Sequence, residues 1–191
     1  MFLYKRKTPN KAIKTLLATN AAILFAAAML GPIYALFVEE IGGNLLDASL
    51  AGGVFALAAG LTSLLSGRFS DKIKESRLIV VVGYALIGVG FVLYLVVSSM
   101  WSLLLIQAII GLGEAIYSPA FDALYSSNLD KHKFALEWGM WETVNYFTAA
   151  IGAVAGGLLV TYLGFKILFV TMAFMCFGSA LYILFLPKKT L

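Results

Sequence analysis

Apolar residues run through this chain in six long blocks, parted by short segments in which charged residues, glycine and proline collect. Each block approaches or exceeds the ~20 residues that a helix rising ~1.5 Å per residue needs to cross hydrocarbon. The pattern predicts six spans at about 15–38, 48–66, 78–97, 101–126, 137–163 and 165–186. The first is interrupted by Gly31-Pro32 and closes on an acidic loop with Glu39, Glu40 and Asp47. Ser98 to Met100 make a short turn, Asp130 to Lys133 a polar loop, and Gly164-Phe165-Lys166 a tight turn.

The most charged segment, Gly67 to Arg77, sets the direction of the whole chain. It holds Arg68, Lys72, Lys74 and Arg77 beside Asp71 and Glu75, and reads as a loop in water. Loops rich in Lys and Arg stay on the cytoplasmic side. With the amino terminus also inside, thirteen of the fourteen Lys and Arg residues fall on that side, and only Lys166 faces out. Both termini are therefore expected in the cytoplasm. Trp101, Trp138 and Trp141 stand near span ends, where indole rings anchor at the interface or pack between helices.

Composition agrees with this pattern. Hydrophobic residues make up 61% of the 191 and charged residues 13%, against about 45–50% and about 25% in soluble domains. The expectation is a multi-pass integral protein of the plasma membrane, all-α, with residues 1–191 in a single bundle and the lipid bilayer as its first partner. The basic start would suit a signal peptide, but the following apolar run outlasts an h-region, so an uncleaved span is expected. The net charge of +4 comes from clusters between apolar runs, which argues for topology rather than nucleic-acid binding. Cys176 is the single cysteine and His132 the single histidine, so no disulfide and no metal-ligand spacing exists. Gly111-Leu-Gly113 lacks the third glycine and preceding strand of a dinucleotide fingerprint. No cofactor is implied, and no hydrolase constellation suggests an enzyme.

Candidate chemistry lies inside the spans, because a carboxylate at the bilayer centre costs about 2.5–3.5 kcal/mol on insertion scales and so faces a cavity or a partner. Glu114 sits thirteen residues into the fourth span, near mid-membrane. Gln107, seven residues earlier, and Tyr125, eleven later, return close to the same helix face. With Ser118 they form a polar stripe that lines a path, or else a protonated Glu114 hydrogen-bonds a neighbouring helix. Glu142, one turn into the fifth span with Asn145 and Tyr146 on its side, is a second proton or substrate group or reaches the interface. Asn20 and Tyr34 are further candidates for cavity polar groups or interhelical hydrogen bonds. Asp122, near the inner end of the fourth span, is expected to pair with a basic residue of the 67–77 loop. Gly152 and Gly156 make a small-residue face for close helix contact.

Six spans with both ends inside would let two copies stand in the same orientation, as the halves of certain transporters do. A faint internal echo, Gly31 to Phe37 beside Ser118 to Tyr125, would make an inverted repeat of three spans each.

These features resemble the amino-terminal half of a major facilitator superfamily transporter. Gly67, Asp71 and Lys72 match the family's loop between the second and third spans, and Arg77 closes it; Lys74 replaces its second glycine. The resemblance implies that this loop latches helices of two halves on the cytoplasmic side. In the fourth span Gln107 stands where an arginine implicated in proton coupling usually precedes the glycine-rich stretch. In the fifth, Gly139, Gly152, Gly156 and Gly157 fit the spacing of an antiporter motif, with Thr148 and Ala153 in place of a glycine and the proline; they are taken as packing glycines. The resemblance implies a secondary-active transport unit that moves a small-molecule solute by alternating access. It would need a second six-helix half, as a homodimer, a partner chain or further sequence. The competing expectation is a membrane scaffold or accessory subunit without transport.

Overall fold

The computed structural model describes residues 10–70 and 75–187, without the side chains of Phe69 and Ser70. Among the described residues every regular element is helical. Helix α1 (Lys11–Leu30) starts at Asn10, whose side chain accepts from the Ala12 amide at 3.3 Å. It tightens into a 3-10 turn at Gly31–Ile33 and resumes as α2 (Tyr34–Glu40). Proline lacks an amide N–H and clashes with the preceding turn, which accounts for the break at Pro32. Helix α3 (Leu45–Ser70) is capped reciprocally: the Asn44 side chain accepts from the amides of Leu46 and Asp47, and Asp47 accepts from Asn44 N at 2.9 Å. Helix α4 (Ser76–Leu93) ends in a 3-10 turn, Tyr94–Val96. Helix α5 (Met100–Ser127) begins with a Ser99–Ser102 capping box and carries Pro119 inside it.

Helix α6 (Phe134–Phe185) is 52 residues long, about 78 Å of helix, more than twice the thickness of the hydrocarbon core. It is two limbs, 134–163 and 165–185, parted at Gly164, where φ 79° and ψ 171° leave the helical region. A residue other than glycine rarely adopts that conformation. The limbs run in opposite senses along α1. On the first, Gly152 lies against Phe25 and Ala28, and Gly156 against Met29. On the second, Phe165 and Phe169 meet Phe37 beyond the far end of α1, whereas Ser179 reaches Thr19 near its start. Among the described residues there are five continuous helical stretches long and apolar enough to cross a membrane, the last of them doubled back.

Packing is close at several of the helix glycines. A Cβ on Gly83 would stand 2.5 Å from the Cβ of Tyr117 and 2.8 Å from the Gly113 carbonyl, bringing α4 and α5 together. Gly111 brings α5 against α3 at the Phe55 carbonyl. Such small-residue contacts are how helices associate when lipid removes the hydrophobic difference between them. Arg77 joins the start of α4 to the end of α6, donating to the Leu186 carbonyl at 2.6 Å. At the opposite end, Phe37, Tyr94, Phe165 and Phe169 form an aromatic cluster with centroids 4.8–6.0 Å apart.

Two expectations change. The segment 67–77 is not loop throughout: Gly67 and Arg68 belong to the last turns of α3, and Ser76 and Arg77 begin α4. Arg68 sits where a cation complements the carboxyl end of a helix, so the helix runs on into the charged segment. Asp71, Lys72 and Lys74 lie outside the described residues. The matched proline echo is also unequal, since Pro32 breaks its helix whereas α5 runs on through Pro119.

Candidate functional site

The polar groups of the interior gather at two levels. The first is a cleft of about 320 Å³ lined by Tyr34, Gly52, Phe55, Phe91, Gln107 and Met172, among others. It lies where the break after α1 meets α3, α4, α5 and the second limb of α6. Gln107 is buried and donates from Nε2 to the Tyr34 hydroxyl at 2.7 Å. Tyr94 sits beside Tyr34 and also lines the cleft. Seven residues from the start of α5, this level is about 10 Å in from that end. The cleft is apolar apart from these amide and phenol groups, a surface suited to an amphipathic solute.

The second level surrounds Glu114, half-buried and about 20 Å from either end of α5. Tyr117, three residues on, stands on the same face of α5 as Glu114 and is buried. The Tyr117 ring meets Tyr84 of α4 edge-on with centroids 4.8 Å apart. Tyr84 is fully buried and donates to Asn20 Oδ1 of α1 at 3.1 Å. The Tyr84–Asn20 bond ties α4 to α1, and the Tyr84–Tyr117 ring contact ties α4 to α5 one turn from Glu114. The chemistry of Glu114 is that of a protonatable group near a tyrosine pair, held where desolvation makes every charge expensive.

The anticipated stripe on α5 is divided in the structure. Gln107 opens to the cleft and Glu114 faces the tyrosine pair. Tyr125 is sealed, its hydroxyl donating to the Glu137 carbonyl, with the Trp138 ring edge-on at 5.2 Å. Asn20 and Tyr34 each join one of the two levels. Glu142 is exposed on the first limb of α6 and Asn145 half-buried. Asp122 is exposed two turns beyond Glu114. Of the four glycines taken together above, Gly152 and Gly156 lie against α1, whereas a Cβ at Gly139 or Gly157 would meet nothing within 4 Å.

Three residues not singled out from the sequence carry part of the geometry. Tyr117 stands three positions after Glu114 and so on its face, a signal present in the spacing. Tyr84 could be placed there only by the α4–α5 approach at Gly83 and Gly113. Glu137 is buried at the start of α6, accepting from the Asp130 amide at 2.8 Å to order the preceding loop.

Comparison with known proteins matches the Major Facilitator Superfamily over residues 16–191. The chain is 29% identical over 174 residues to the multi-drug resistance efflux pump PmrA of Streptococcus pneumoniae, covering 84% of this chain and 42% of that protein. It is 24% identical over 166 residues to an uncharacterised MFS-type transporter of Methanocaldococcus jannaschii, covering 87% and 43%. To the multidrug resistance protein MdtG of Salmonella schwarzengrund it is 23% identical over 180 residues, covering 90% and 43%. The chain spans less than half the length of these relatives. A multi-pass set of apolar helices, close-packed through glycine and enclosing polar groups at mid-depth, is joined here to a family match over nearly the whole sequence: the chain is an integral membrane protein belonging to the Major Facilitator Superfamily.

Proposed function

We propose that the chain is one six-helix half of a secondary-active transporter, moving a small solute by alternating access against a second half. The two limbs of α6 count as the fifth and sixth spans, and both ends then fall on the cytoplasmic side, where the Lys and Arg residues concentrate. The single observation that carries the proposal is the Glu114 carboxyl group, held at mid-depth on the same helix face as Tyr117, whose ring meets Tyr84, and one to two turns from the Tyr34–Gln107 cleft. A carboxylate is tolerated there when water, a proton or a cationic group reaches it. In this reading Glu114 binds the coupling proton or a positive charge on the solute, and the cleft holds the apolar remainder.

The second half would close the open side of the bundle. Helix α3 and the first limb of α6 turn Leu57, Leu61, Leu64, Tyr146 and Phe147 outward, and apolar faces of that extent suit either lipid or a matching bundle. A second copy, a partner chain or continued sequence would each supply it. Because relatives are named as multidrug efflux proteins, efflux of small organic molecules is the first activity to measure.

The experiment is Glu114→Gln in proteoliposomes containing both halves, with export of a fluorescent organic cation driven by an imposed proton gradient. Loss of gradient-driven export with the protein still folded is the expected result. Export unaltered by the substitution would make Glu114 structural and remove the assignment. A scaffold role is the second reading, favoured by Gln107, which stands in place of the family's arginine and is tied to Tyr34. It gains if no solute moves with any second half present.

A further inference from the structure

We propose that the groove between the start of α1 and the last turns of α6 binds the phosphate headgroup of an anionic phospholipid. The groove has a volume of about 440 Å³, and its polar lining is Lys11, Lys14, Thr15, Thr19, Ser179 and Tyr182. Lys11 and Lys14 are both exposed and lie one turn apart on α1, so their ammonium groups reach one anion together. Among the described residues no carboxylate lines the groove, and the first turn of α1 holds no acidic residue to compete for the lysines.

The floor is already ordered. Ser179 donates to the Thr19 carbonyl at 3.2 Å, and the Thr19 hydroxyl is shared between the carbonyls of Thr15 and Leu16 at 3.0 and 3.1 Å. Space for a headgroup comes from Gly178, where a Cβ would meet nothing within 4 Å.

Two observations favour a lipid over a free anion. The groove is level with the first turns of α1 and the last two turns of α6, where lysine stems carry their charge to the headgroup region and tyrosine sits at the interface. From it, Phe174, Gly178, Leu181, Tyr182 and Phe185 form one exposed stripe at helical spacing along the second limb of α6. Phe174 is the deep end of that stripe, about 16 Å from Phe185, a track for an acyl chain below a phosphate held by two lysines. Basic pockets between transmembrane helices bind anionic headgroups in this way.

The test is lipid retention by the purified chain taken from vesicles of equimolar phosphatidylglycerol and phosphatidylcholine, read by native mass spectrometry. The chain is expected to retain phosphatidylglycerol in preference. Each lysine near an anionic headgroup contributes about fivefold, so Lys11→Gln with Lys14→Gln should cut the preference at least about tenfold. The paired substitution to Arg should keep it, and that pair also guards against loss of fold in the Gln variant. Arg68→Gln with Lys131→Gln removes the same charge elsewhere and should keep it too. An unchanged preference in the Lys11, Lys14 glutamine pair overturns the proposal, as does an equal loss in the control pair, which would mean diffuse attraction. Inorganic phosphate that binds the delipidated chain with the same lysine dependence, while phosphatidylglycerol is not retained, overturns the lipid assignment.

Discussion

Gly156→Ala adds one methyl group where α1 and the first limb of α6 come closest. The new Cβ would lie 2.5 Å from the Met29 carbonyl carbon and 2.6 Å from its Cα, against the ~3.5–4.0 Å at which carbon atoms sit comfortably. Backbone, not a flexible side-chain end, is in the way, so the two helices must part by about 1 Å. A gap of that size forfeits a quarter to a half of the dispersion energy along the seam, and overfilling a packed site costs about 1–3 kcal/mol. Alanine's better helix propensity returns at most about 1 kcal/mol. With backbone in the way the overfilling cost falls in the upper half of its range, about 2–3 kcal/mol, so the net expectation is a loss of about 1–2 kcal/mol, close to a tenfold shift in the folded population. Gly157→Ala is the internal control, one residue along with nothing within 4 Å of the new atom. It should be neutral or slightly stabilising. The assay is equilibrium unfolding in mixed micelles, followed by the fluorescence of Trp138 and Trp141 on the same limb. If Gly156→Ala and Gly157→Ala behave alike, the close approach at Met29 is wrong, and with it the placement of the first limb along α1.

Tyr84→Phe removes the donor to Asn20 and should cost about 0.6–1.7 kcal/mol, the range measured for hydrogen bonds between membrane helices; an unfolding midpoint equal to wild type would show that the link carries no stability. Gly164→Ala forces a side chain into a backbone region almost reserved for glycine and should destabilise by about 1–3 kcal/mol, read as a drop in melting temperature, whereas Gly178→Ala, helical and in open space, should not. Arg77→Gln gives up a charge-assisted bond to the Leu186 carbonyl; the group is partly solvated, so about 1 kcal/mol is expected, with faster hydrogen exchange confined to the last turn of α6. Tyr34→Phe leaves the Gln107 amide without its acceptor and should lower any export activity more than stability, checked by comparing transport rate with melting temperature.

Much of this was legible in the apolar blocks. Their lengths and the charge between them predict the helices, because backbone groups in hydrocarbon have no alternative to helical pairing. The breaks at Gly31-Pro32 and Gly164 were visible as residue types with few conformational options. Helix ends were less so: α3 runs to Ser70 because Arg68 suits a helix terminus as well as a loop. Glu114 stood out by its cost in lipid, and Tyr117 by its spacing. What could not be read was which helices meet. Periodicity sets a face on each helix but not its neighbour, so the Tyr84–Asn20 link and the division of the α5 stripe depend on the three-dimensional pairing. The four-residue spacing of Gly152 and Gly156 marks them as a contact face, but only the structure names α1 as the helix they meet.

The pairing of helices also bears on how the protein is made. Helix α1 packs chiefly on α6, and α3 chiefly on α5, while α4 and α5 are neighbours both in the chain and in space. During synthesis the α4–α5 hairpin is therefore the earliest pair that can assemble, with α3 joining it. Helix α1 waits in the bilayer, its packing face turned to lipid or to the insertion machinery, until more than a hundred further residues have emerged. Quality control in the membrane would then meet α1 without its partner, and substitutions at Phe25, Ala28 or Met29 would be felt as delayed maturation before they were felt as lost stability.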